Sequence, residues 1–191
     1  MQTAPHTLTG IGTFCDRCAD GHIAALTGWP ALPDPPGPLV ITGPDRRKHT
    51  LRFRLWRAPT GISVDLIEDR PGRGEGYEFR VLGAHDADIT ALIDHVRQQA
   101  ITEINRQYLY RDRHTRQLAI GDRDQVAGRI SFDPDGGPCR VVIDGREMDW
   151  DDLGHLLASY EGWRFRLTLC DPCDDLRPDA DIVALPTQRE R

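Results

Sequence analysis

A chain of 191 residues is long enough to bury a sizeable core and fits one domain or two small ones. Its content of 39% hydrophobic and 28% charged residues is that of an ordinary globular protein, which excludes a fibrous or wholly disordered chain. A net charge of -6 argues against a general nucleic-acid-coating role, although the positive charge is almost wholly arginine, with Lys48 the only lysine.

The opening residues, MQTAPHTLTGIGTF, lack the charged and apolar stretches of a secretory signal, and no run approaches the length of a membrane span. The expected location is cytoplasmic and reducing, with no membrane partner, where structural disulfides are disfavoured and thiols stay free to bind metal.

The first informative stretch is TFCDRCADGH, residues 13–22, in which Cys15 and Cys18 form a C-x2-C pair followed by a short helix to about residue 25. Residues 28–39, GWPALPDPPGPL, hold five prolines and are a linker or an irregular segment draped over the body. Three runs then alternate or read as strands: 50–56, 61–68 and 76–82. Leu51, Phe53 and Leu55 alternate with polar residues in the first, as do Tyr77, Phe79 and Val81 in the third. Short turns between them suit an antiparallel meander.

Residues 86–109 carry Ile89, Leu92, Ile93, Val96, Ala100 and Ile104 at helical spacing, with Asp86 or Asp88 as the N-cap. Residues 110–125 are polar and give no clear period. A hairpin is expected from 126–133 and 139–145 across PDGGP, then a second helix over 149–161 ending at Gly162, then a final strand, WRFRLTL, over 163–169. That strand leads directly into TLCDPCDDLR, where Cys170 and Cys173 repeat the C-x2-C spacing.

The expected fold class is α+β, with a mixed or mainly antiparallel sheet, two principal helices and the termini joined by a four-cysteine zinc knuckle. One domain is expected over residues 1–182, with sublobes at 39–109 and 126–173 and a flexible tail at 183–191. Four thiolates suit a tetrahedral structural zinc, so Cys15, Cys18, Cys170 and Cys173 are the expected metal ligands and Zn2+ the expected cofactor. The 151 residues between the pairs make the spacing less diagnostic than two neighbouring pairs. His22 is an alternative ligand, and Cys139 is read as a small apolar residue. Redox chemistry is the other reading of a C-x2-C pair, and it needs the pair at the start of a helix after a strand.

No H-E-x-x-H, G-x-S-x-G, Walker or dinucleotide fingerprint is present, and GRGEG at 72–76 is a hairpin turn between strands. No catalytic residue is assigned. Residues 45–57 and 106–116 are locally basic, the second interleaved with Tyr108 and Tyr110, which suits phosphate contact and base stacking. The expected function is a non-enzymatic, zinc-stabilised binding or accessory module with a protein or nucleic-acid partner. Nucleic-acid binding through the Arg/Tyr surface and an enzyme of unrecognised type are the alternatives.

Overall fold

The computed structural model describes residues 6–8, 12–72, 74–121 and 124–173. The expected tail at 183–191 lies outside them. A short hairpin, β1 (His6–Leu8) with β2 (Gly12–Phe14), leads into α1 (Asp16–Thr27). The first main layer is a four-stranded antiparallel meander of β3 (Leu39–Thr42), β4 (Lys48–Ala58), β5 (Gly61–Glu68) and β6 (Glu78–Gly83), in that order.

The period of two assigns the two faces of this sheet. Phe53 lies opposite Leu66, and Leu66 opposite Phe79; Leu55 lies opposite Val64, and Val64 opposite Val81. These side chains pack with Val96, Ala100 and Ile104 of α2 (Ile89–Ile104), while Tyr77 and Ile93 are partly buried at the margin. Asp88 caps α2 by accepting from the Thr90 N–H at 2.9 Å. The helix stops at Ile104, short of the expected residue 109. There the Asn105 amide donates to the Ile101 carbonyl, and the backbone N–H groups of Tyr108 and Leu109 are taken by the Asp144 carboxylate at 2.9 and 2.7 Å.

The chain then forms a small hairpin, β7 (Leu109–Arg111) with β8 (Leu118–Ile120), and a three-stranded antiparallel sheet of β9 (Arg129–Ser131), β10 (Arg140–Ile143) and β11 (Arg146–Asp149). Helix α3 (Trp150–Leu157), followed by a 3-10 turn at Ala158–Tyr160, covers part of one face. Val141, Ile143, Met148 and Leu156 join Leu109 and Ile120 in this second core. Asp144 (φ 51°) and Gly145 (φ 63°) make the two-residue turn between β10 and β11, where both positions need positive φ. A side chain at 145 would also strike the Tyr77 ring, since its Cβ would stand 2.6 Å from Cδ2.

Three corrections follow. The described residues contain three α-helices rather than two, because 16–27 forms a full helix closed by Gly28 in the left-handed region. The strands are antiparallel, the second of the two alternatives, but among the described residues they form separate sheets and not a single one. No four-cysteine knuckle closes the fold: no group of three or more His, Cys, Asp or Glu side chains among the described residues is arranged to hold a metal ion.

The two lobes meet through polar contacts. Glu147 accepts from Arg140 Nη1 and the Glu75 N–H, which hold its carboxyl below the usual range, and Arg70 donates to the Gly145 carbonyl. A lowered carboxyl contributes stability above its unfolded pKa and loses it as pH falls through the folded value. Stability measured by urea unfolding should therefore decline below about pH 4.5, and Glu147→Gln should flatten that decline. An unchanged pH slope in the variant would show that the contact carries no linkage.

Candidate functional site: cysteine pairs, a buried carboxylate and an uncovered sheet edge

Cys15 is the N-cap of α1, directly after β2. Its sulfur accepts from the Cys18 N–H at 3.4 Å and lies 3.2 Å from the Cys18 sulfur, with both residues exposed. The hydrogen bond from the Cys18 thiol, reinforced by that N–H, pushes the Cys15 thiol down, and the same contact pushes Cys18 up. Two thiols so placed can close to a disulfide on loss of two electrons and two protons, with Cys15 the one held toward thiolate.

The second pair has different surroundings. Burial, then a hydrogen bond with Asp171, raises the Cys173 thiol, and its other charged neighbours are Arg80 and Asp65 of the first sheet. The cysteines expected to share zinc thus do not assemble into one ligand group. The zinc cofactor and the zinc-stabilised module built on it are corrected accordingly. Cys139 is half-buried at the start of β10.

Asp65, which the sequence reading passed over, is 0% exposed at the centre of β5 on the sheet face away from α2. It lies opposite Arg54 on one side and Arg80 on the other. Its carboxylate accepts from Ser63 Oγ at 2.8 Å, Trp56 Nε1 at 2.9 Å and Arg80 Nε at 2.9 Å. The guanidinium groups of Arg54 and Arg80 stand 5.6 and 6.0 Å from the Trp56 ring centroid. The visible signal is an acid in the middle of the apolar run GISVDLIE, which a buried position makes costly unless it is paired.

Several arginines of the two basic stretches are paired within the chain. Arg52 pairs with Asp69, Arg57 with Asp20 and Arg106 with Glu103. Tyr108 donates to Glu103 at 3.2 Å and is pushed up to about 12, mainly by burial, so its ring belongs to the fold rather than to a stacking platform. Tyr110, by contrast, is exposed in β7 next to Arg111. The proline-rich segment is draped over the body as expected: Leu32 N–H donates to Asp20, Arg57 donates to the Pro30 carbonyl, and Trp29 stacks on His85 with centroids 4.1 Å apart.

Between the lobes, His49 Nδ1 contacts Glu68 Oε1 at 2.8 Å, and Tyr77 and Asp144 lie alongside. The enclosed space is about 10 Å³, room for a single water and no substrate.

A run of exposed apolar side chains lies on the second lobe. Ile130 is paired opposite Val141, a core residue, and so occupies the face that α3 covers elsewhere. It is nevertheless exposed, and Phe132, two residues on, is 82% exposed. Among the described residues β9 pairs only with β10, so its other edge is open. Residues 163–169, expected as the last strand, join no ladder among the described residues. Trp163, Phe165, Leu167 and Leu169 are all exposed, Phe165 at 90%.

Residues 33–105 match a family described as a domain of unknown function (DUF7686), and residues 108–174 match a second so described (DUF7713). The two matches abut between α2 and β7. No curated protein and no solved structure matches the chain. No helix of the described residues is long and apolar enough to cross a membrane.

Proposed function

We propose that the chain is a protein-interaction module that binds by strand addition at the open edge of β9, with residues 1–182 acting as one unit. The observation behind this reading is the coincidence of an open edge bearing exposed Ile130 and Phe132 with an alternating apolar segment, 163–169, that lacks a ladder. An edge strand offers unpaired N–H and C=O groups to an extended partner, and the apolar side chains beside it supply the burial. Exposed apolar side chains grouped in this way mark interaction surfaces. The polar contacts between the lobes, made by Asp144, Glu75 and Arg70, support a single unit.

A synthetic peptide spanning residues 162–170, added in trans to a Phe165→Asp, Leu167→Asp variant whose own segment cannot fill an edge, tests strand addition directly. It should shift the amide resonances of Ile130–Phe132 and slow their exchange. No shift at ~1 mM peptide, a concentration that would reveal binding as weak as about -4 kcal/mol, would sink the reading.

A further inference from the structure

Building on the strand-addition reading, we infer that the partner at the β9 edge is a second copy of this chain, each copy donating its 163–169 segment to the other. Both halves of the contact are present on one chain, yet within that chain they do not pair. The segment is engaged at its two ends: Trp163 N–H donates to the Tyr160 carbonyl at 2.9 Å with the two rings edge to face, and Cys173 sits amid Asp171, Arg80 and Asp65. Two complementary surfaces that do not meet within a protomer can close between two protomers when the exchange is reciprocal and two-fold, which leaves no open end for further growth.

The side-chain pattern fits that partner. Placed beside β9, the Trp163, Phe165, Leu167 and Leu169 row continues the apolar face that runs from Val141 through Ile130. Arg164 and Arg166, at the intervening positions, then lie on the face of Arg129 and Ser131, where Glu75 meets both residues and Asp133 and Asp135 cluster around Arg140. Asp135 is paired with Arg140 and Glu75 with Arg129, and Asp135 is 81% exposed, so added arginines share carboxylates that still face solvent.

The area is of the right order as well. Each copy contributes three aromatic rings (Trp163, Phe165, Phe132) and three aliphatic side chains (Leu167, Leu169, Ile130). At roughly 150 Å² per buried aromatic, the six rings of two copies reach about 900 Å², and the six aliphatic side chains bring the total toward the ~1,200 Å² lower bound for a stable interface.

Sedimentation of the full chain should give a species of twice 21.5 kDa. The double substitution Phe165→Asp, Leu167→Asp should give a monomer, and so should Phe132→Asp. All of these side chains are exposed, so each variant should keep the wild-type far-UV spectrum, with a melting transition lowered only by the loss of association. Mixing the two monomeric variants restores one of the two reciprocal contacts, so a heterodimer should form that neither variant makes alone. A wild-type monomer at ~100 µM, equivalent to binding weaker than about -5.5 kcal/mol, would overturn the second copy as partner. Dimers indifferent to all three substitutions would do the same. If the chain is monomeric but still binds the trans peptide, only the identity of the partner fails and strand addition stands. If neither occurs, both fall.

Discussion

Replacing Asp65 with alanine should destabilise the protein by about 3 kcal/mol, measured as the change in urea unfolding free energy at neutral pH. The carboxylate is wholly buried and takes hydrogen bonds from Ser63, Trp56 and Arg80. Its removal strands the indole N–H and leaves Arg80 without its closest counter-charge. The Arg80 side chain is 32% exposed, so water recovers part of its solvation and the loss falls at the lower end of the range for a broken buried pair. Asp65→Asn keeps the shape and one acceptor oxygen and should lose less than alanine. A loss below ~1 kcal/mol for alanine would mean that the carboxylate's bonds only offset its own desolvation.

Phe53→Ala should cost more, roughly 3–5 kcal/mol, because it removes a large ring from the first core and leaves a cavity between the sheet and α2. Phe53 stands opposite Leu66 in the ladder, is nearly buried, and carries the Arg97 guanidinium 5.8 Å from its ring centroid. Folded domains are stable by only about 5–15 kcal/mol, so this variant should melt far below the wild type or fail to fold. An unchanged denaturation midpoint would show that the ring makes no net contribution to the core. Phe53→Leu, which retains most of the apolar volume, should recover much of the loss.

The parts legible in the sequence are those written in short-range periodicity. Alternation in 50–56 and 76–82 gave both the strands and their core faces, and the three- and four-residue spacing after Asp88 gave α2. β3 escaped because Leu39–Thr42 is four residues long and follows a proline-rich stretch, with no alternation to read. β7 and β8 escaped because three residues each, in a polar stretch, carry no period at all. The cysteines illustrate a different limit. A C-x2-C spacing describes one tight turn; whether two such turns meet depends on where 151 intervening residues fold, which no local pattern encodes. Residues 163–169 have the right alternation for a strand, but a strand needs a neighbour, and none of the described strands lies beside them. Asp65 was recoverable in principle: once the meander is registered, its neighbours on both sides are arginines.

The order β3-β4-β5-β6, in which every neighbour in the sheet is also the neighbour along the chain, has a consequence for how quickly the protein forms. Each ladder closes across a short loop, so little chain entropy is lost before the first rows of contacts appear. The same holds for β9-β10-β11, and each half can nucleate without waiting for the other. The contact from Asp144 to the Tyr108 and Leu109 amides instead spans about 36 residues and needs both the β10–β11 turn and the end of α2 in place. That contact is thus a late event, and the junction it fastens should be the first to open when native amides exchange with solvent.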